Sequence, residues 1–421
     1  MKEIELVGLD KTIYTETLSN GLEIYLIPYD NKKNYYISYA TRYGSDIKNF
    51  KVNNKEYNPP LGIAHYLEHK MFEEESGIDP FEFFSQTGTD ANASTSYDNT
   101  QYICYGNKNF KENLKYLIRF VNSPFFTDEN VEKEKGIITE EIKMYRDIPD
   151  YKLEMQLREC LYHNSPRKID IAGTVEEINK ITKEDLYNCY NNFYSPNNMF
   201  ILIVGNFKIE EAIDIIKEEL KDKNNKPSPE IIKETEPTEV NKPFYTLEEN
   251  IDIPKIGMGI KIPRKKFKQK DMELELYLEV FSKMIFGPSS LFRERTRTKK
   301  LLNDIYTEWE ITEDLVIFYL YATSTKVDEL INEVNKEIIA MRLDKQDFDR
   351  AKKVLIANEV KVTNSIERMQ NCIFDDIVRF KSLFPNRIEM IKRLSFNTMK
   401  EIVNKIDFGN KCTVKMIKKR D

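Results

Sequence analysis

Short runs of apolar and aromatic residues at residues 22–28, after the turn Ser19-Asn20-Gly21, and at residues 35–40 read as β-strands. The pattern then changes. Ile63, Ala64, Leu67, Met71 and Phe72 recur at helical spacing, and a second short helix is expected at residues 80–86. A small, polar segment at residues 91–97 leads into a strand at 100–105. From 108 to about 146 apolar positions fall three and four apart, which predicts helix throughout.

Later segments repeat an earlier theme. A helix with a Thr182 start signal, the turn Pro196-Asn197-Asn198 and the apolar strand 199–204 close the first half. A helix from about Ser395, the turn Gly409-Asn410-Lys411 and the strand 412–417 close the second, at one constant offset. Helix–turn–strand units are common, so the match is either internal duplication or coincidence. Between the halves lies a stretch rich in Pro, Lys, Asn and Glu and without aromatics. The expected organisation is therefore a first half at 1–220, a linker at 221–243 and a second half at 244–421.

The first helix carries the chemistry. His65 and His69, two of only three histidines in the chain, lie four residues apart, one turn on the same face, with Glu68 between them. Paired histidines also occur as polar patches without metal, but the apolar residues around these predict burial, and buried imidazoles need partners. The pattern H-x-x-E-H supplies two zinc ligands and a carboxylate beside the open coordination position. A third ligand has to come from a distant segment. Glu134 and Glu141, seven apart in a helical stretch, share the inward face with Ile138, whereas Glu132 and Glu140 fall on the solvent side.

Composition narrows the class. With 421 residues, 40% hydrophobic and 32% charged, the chain is long enough for two to four domains and is of globular type. Its net charge of −6 argues against general nucleic-acid binding. No apolar run approaches a membrane span, and the charged N-terminus lacks a signal-peptide core. Five scattered cysteines without a C-x-x-C pair read as reduced thiols, so a cytoplasmic setting is expected. A structural zinc site would draw on sulfur, and Cys104 is the one cysteine near enough in sequence to be considered.

His65-x-x-Glu68-His69 followed by Glu134-x6-Glu141 resembles the inverzincin metallopeptidases of the pitrilysin, insulysin and mitochondrial processing peptidase group, in particular their short bacterial members. Flanking words match as well: Gly62-Ile63-Ala64, Asn92-Ala93-x-Thr95-Ser96 and Glu140-Glu141-Ile142-Lys143-Met144-Tyr145. The resemblance is specific over residues 15–205 and weaker beyond the linker. It implies an α/β fold of two homologous halves, each a mostly antiparallel sheet packed by helices, forming a clam-shell. It implies one Zn2+ per chain on His65, His69 and Glu141, with Glu68 as general base and Glu134 as a supporting carboxylate. It further implies that Asn92, Ala93, Ser94 and Thr95 form the edge strand along which peptide substrate lies.

One departure stands out. Family members often carry an Arg and a Tyr seven residues apart in the second half, gripping the substrate. Here Arg297 takes the Arg place, Asp304 stands seven further on, and Tyr306 is out of register. Either a partner supplies the pair, as a homodimer or a heterodimer with a homologue lacking the zinc motif, or Tyr306 serves through a local shift, or no tyrosine is needed. The implied activity is zinc-dependent hydrolysis of small or unfolded peptides. The rival reading is a non-catalytic or partner-dependent subunit of a two-subunit peptidase or assembly complex.

Overall fold

A computed structural model describes residues 1–419. Its strands are β1 (Lys2–Leu6), β2 (Lys11–Thr17), β3 (Glu23–Pro28), β4 (Tyr35–Thr41), β5 (Asn49–Val52), β6 (Lys55–Tyr57), β7 (Thr89–Thr95), β8 (Thr100–Gly106), β9 (Met199–Gly205), β10 (Glu230–Ile232), β11 (Phe244–Glu249), β12 (Lys255–Pro263), β13 (Asp304–Ile311), β14 (Leu315–Thr323) and β15 (Lys411–Lys418). The helices of the first half are α1 (Ile63–Lys70), α2 (Pro80–Gln86), α3 (Phe110–Val121), α4 (Asp128–Arg146), α5 (Pro149–Leu161), α6 (Val175–Ile178), α7 (Lys183–Phe193) and α8 (Ile209–Glu219). Those of the second are α9 (Asp271–Phe286), α10 (Leu291–Thr298), α11 (Val327–Ile339), α12 (Lys345–Val362), α13 (Ile366–Phe380), α14 (Arg387–Arg393) and α15 (Phe396–Val403). The fold is α/β. Among the described residues no helix is long and apolar enough to cross a membrane.

The chain forms two compact units, each built from three segments. The first unites Met1–Lys143, Asp170–Lys233 and Val360–Asn386; the second unites Met144–Ile169, Glu234–Glu359 and the segment from Arg387 on. The expected linker contains one of these crossings, between 233 and 234, but it is not a free tether. Its β10 pairs antiparallel with β5, and the backbone N–H of Lys226 donates to the Ser195 hydroxyl at 2.9 Å. The four other crossings are invisible in composition, because they fall within or beside helices.

The first unit's main sheet runs β1-β2-β3-β9-β4-β8-β7, and the second unit's sheet runs β11-β15-β12-β14-β13. Five strands of the first repeat the second in order and in sense. β3 pairs parallel with β9 as β11 does with β15, and every other pairing in both sets is antiparallel. Thr182 and Ser395 cap α7 and α15, the helices ahead of the equivalent strands β9 and β15. The halves are structural repeats.

Each sheet is completed by a helix from the other half of the sequence. β9 is buried at all seven positions, so both of its faces need cover, and its continuous run Met-Phe-Ile-Leu-Ile-Val reflects this. One face joins the core of α1, α3 and α7; Phe200, Leu202 and Val204 pack on Met369, Ile373 and Ile377 of α13. Gln370 of α13 donates to the Ser38 hydroxyl at 2.7 Å inside this layer. In the second unit Leu153, Leu157 and Leu161 of α5 pack on the sheet. There β12 has Gly257 and Gly259, where an added Cβ would meet Leu157 at 3.2 Å and Leu161 at 2.7 Å. The glycines let α5 lie close on the strand.

The single helix expected over 108–146 is two. Asn122–Thr127 separates α3 from α4, with Pro124 where a helical N–H would be needed, and Asn130 answers the N–H of Thr127 at the start of α4. Trp309 is a core residue, its indole N–H donating to the Ser282 hydroxyl at 2.7 Å. His163 follows α5, and its backbone N–H is taken by Glu236 at 2.9 Å.

Candidate active site

α1 begins at Gly62, whose φ of 85° lies in the left-handed region and whose missing Cβ would stand 2.3 Å from the Ala172 carbonyl oxygen. Only glycine fits, so the start of the helix and the direction of its side chains are fixed there. His65 and His69 then stack a turn apart with ring centroids 4.6 Å from each other.

α4 supplies the third group. Glu141 places Oε1 3.8 Å from Nε2 of His65 and Oε2 3.3 Å from Nε2 of His69. Among the described residues, His65, His69 and Glu141 are the group whose donor atoms converge, all within 4.8 Å. Two donors held about 2.05 Å from a tetrahedral ion stand roughly 3.3 Å apart, so the cluster is the right size for zinc with little adjustment. Two imidazoles and one carboxylate are also the donor set that leaves a fourth position open. Cys104 is buried on β8 and is not part of this cluster. Glu132 and Glu140 lie on the solvent side, each 74% exposed and paired with Lys135 and Lys143.

Behind the ligands, Glu134 lies one turn on from α4's first turn and 3.0 Å from Nδ1 of His69. That bond favours a proton on Nδ1, the arrangement in which Nε2 of a neutral His69 would serve as a metal ligand. Burial pulls the pKa of His69 down, but its bonds to Glu134 and Glu141 outweigh this and raise it to about 9. His65 moves the other way, to about 4, through burial and the nearby charge of His69. Glu141 is lowered, chiefly by its bond to His69; at Glu134 burial pushes upward, but the bond to His69 and the charges of His69, Lys70 and Lys133 together outweigh it and lower the pKa. The two carboxylates thus favour positive charge beside His69, while burial disfavours it on His65.

Glu68 is held from the edge strand. It is buried, and the Thr95 hydroxyl donates to its Oε2 at 2.5 Å. Burial raises its pKa against the lowering effect of that bond. A carboxylate tuned upward in a cleft is suited to accept and return a proton.

Asn92, Ala93, Ser94 and Thr95 lie on β7, which ends its sheet and leaves one side of its backbone unpaired by strand. The Ala93 N–H is taken by the Asn92 side chain at 2.9 Å. Asn92 and Ala93 border a cleft of about 860 Å³ together with Glu68, His69, Phe72 and Phe81. Phe72 and Phe81 stack at 4.4 Å. Arg297 and Tyr306 belong to the second unit, on α10 and β13; both are exposed, and the Tyr306 hydroxyl lies 3.3 Å from Glu308.

Two family models match the chain: insulinase (peptidase family M16) over residues 53–175 and the peptidase M16 inactive domain over 180–355. An uncharacterized zinc protease of Bacillus subtilis, YmfH, is 33% identical over 415 residues, covering 96% of each chain. The chain belongs to the M16 peptidase family. A putative M16-like peptidase from Alicyclobacillus acidocaldarius, 28% identical, superposes with a TM-score of 0.93 over 98% of this chain and 100% of that one. The periplasmic protease PqqL from Escherichia coli shares the fold at 20% identity and a TM-score of 0.75; this chain covers 47% of it. In the present M16 chain no histidine follows His163, so the second half carries no copy of the H-x-x-E-H motif.

Sequence reasoning missed three participants. Thr95, singled out for substrate, also holds Glu68. Tyr66 and Lys70, inside the motif, passed as ordinary helix residues, although a fully polar Lys on an apolar helix face was the available signal.

Proposed function

We propose that this chain is a zinc-dependent endopeptidase acting on small or unfolded peptides. The observation that carries the reading is the convergence of His65, His69 and Glu141, with Glu68 beside them and an open-edged strand alongside. When bound, zinc supplies a Lewis acid that acidifies water and polarises a scissile carbonyl.

The chain's own groups do the rest. β7 offers backbone to an extended peptide, which adds as a further strand and brings a scissile bond past Glu68. Glu68 accepts the proton of the attacking water and returns it to the departing amine. Thr95 keeps the Glu68 carboxylate aimed while its protonation changes. Glu134 holds the His69 ring in one tautomer. The cleft beside Phe72 and Phe81 receives a substrate side chain.

A partner is also proposed: a second copy, or a homologue lacking the zinc motif, in a cytoplasmic setting. Two features support it, the out-of-register Tyr306 and the fact that PqqL contains about twice this length in one chain. The deciding experiment measures zinc content and turnover of a quenched peptide library by wild type and Glu68→Gln. One zinc per chain in both, with turnover only in wild type, is expected. Zinc without turnover in wild type points to the partner-dependent subunit, and absence of zinc in wild type overturns the reading.

A further inference from the structure

α1 presents two parallel pairs, each four residues apart. His65 and His69 face Glu141. Tyr66 and Lys70, one position further round, face the first turn of α4. The Tyr66 hydroxyl donates to the Val131 carbonyl, and Lys70 Nζ donates to the neighbouring Asn130 carbonyl at 3.1 Å. Both side chains are fully buried, at 0% exposure. An ammonium costs several kcal/mol to remove from water unless its partners replace the lost solvation. Its other partners are Glu73, at 2.7 Å, and Oε2 of Glu134, at 3.7 Å. Glu134 thus stands between Lys70 on one oxygen and the Nδ1 of His69 on the other.

The geometry points to Lys70, seconded by Tyr66, as a positioning residue of the metal centre that sets where α4 stands along α1. Lys70 and Tyr66 grip α4 at residues 130, 131 and 134. Glu141 is two turns beyond Glu134 on the same rigid helix, roughly 10 Å along its axis. A slip of α4 by one residue would carry Glu141 about 1.5 Å along the axis and turn it about 100° off the histidines. The clamp therefore fixes the third ligand from a distance, and fixes His69 through Glu134. The ammonium itself touches neither His69's Nε2 nor Glu141 and makes no contact with the donor cluster.

This inference rests on the zinc reading, and its test separates the two. Zinc dissociation constants are measured by chelator competition for wild type, Lys70→Met, Glu134→Gln and the double variant, with apo thermal melts alongside. Wild type that binds no zinc overturns the parent reading. Loss of a partner behind a ligand weakens zinc binding 10- to 100-fold, and that loss is expected for Lys70→Met, with the double variant no weaker than about threefold beyond either single one. Unchanged zinc affinity in Lys70→Met, or penalties that multiply in the double variant, would overturn the clamp. If Lys70→Met does not fold, Tyr66→Phe, which keeps the charge and the ring, is the arbiter. Several-fold weaker zinc binding with faster amide exchange in the first turn of α4 supports the clamp; no change in both refutes it.

Discussion

The Thr95 hydroxyl donates to Glu68 at 2.5 Å, tying the last residue of the edge strand to the carboxylate that stands beside the metal ligands. In the proposed mechanism this bond links peptide position to proton transfer. Glu68→Gln keeps the shape and removes the base, so kcat/KM is expected to fall by about 10²- to 10⁴-fold. Zinc stoichiometry should stay at that of wild type. Thr95→Val should cost less, about tenfold in kcat, since the base remains but is no longer aimed. Steady-state kinetics with metal analysis of the same samples would check both; zinc loss in Glu68→Gln would speak against its role as a base.

The seven-residue spacing on α4 separates inward from outward carboxylates. Glu141→Gln and His69→Ala should leave purified protein with little zinc after dialysis against a weak chelator. Glu132→Gln and Glu140→Gln, both on the solvent side, should retain it fully. Metal retention in Glu141→Gln equal to wild type would place the third ligand elsewhere.

Ala93 tests the edge. Its N–H is engaged by the Asn92 side chain rather than needed by a second strand, and proline is tolerated on edge strands. Ala93→Pro should therefore fold, keep its zinc, and raise KM for extended peptides about tenfold by deleting a donor the substrate backbone would use. A circular-dichroism melt close to wild type, with unchanged KM, would remove β7 from substrate binding.

In the second unit Glu310 is flanked by Arg158 and Arg167 and accepts the Tyr319 hydroxyl at 2.7 Å. Burial raises its pKa, but the two arginines outweigh this and the net shift is downward. A carboxylate with a depressed folded-state pKa adds stability that is complete above its unfolded value, about 4.3, and disappears as pH falls through the folded value. Glu310→Gln should therefore cost about 3 kcal/mol at pH 7, by removing the buried carboxylate that Arg158 and Arg167 share. The gap between variant and wild type should close below pH 4. Denaturant titrations at both pH values would show it; a gap that persists at low pH would assign the loss to packing.

Much of the site was legible because its residues obey a local period. His65 and His69 share a face four apart, and Glu134 and Glu141 share one seven apart, so simple helix geometry singled out all four. The duplication showed in the helix, turn and strand that close each half at one offset, although only β9 is an unbroken apolar run, Thr413 and Lys415 interrupting β15. What escaped notice depends on residues distant in sequence. The break between α3 and α4 follows from Pro124, which the apolar spacing alone overrides. Tyr66 and Lys70 owe their role to carbonyls 65 and 60 residues away, and nothing in the motif reveals which backbone they meet. The crossings of α5 and α13 between units leave no compositional mark, because a helix apolar on one face looks the same whichever sheet receives it.

The reciprocal placement of α5 and α13 has a consequence for how the protein is made. Every proposed metal ligand has been synthesised by residue 141, and the last strand of the sheet beside them by residue 205. Yet the face of β9 carrying Phe200, Leu202 and Val204 has no cover until α13 is made, ending at residue 380 of 421. At translation rates of about 5–20 residues per second, that apolar face waits roughly 10–35 s on the ribosome. A chain interrupted in the 221–243 segment would hold the complete H-x-x-E-H apparatus on a sheet with one bare side. Such a fragment would expose the apolar face of β9 that α13 covers in the finished chain, so the sheet that carries the proposed site depends on the last part of the chain to be made.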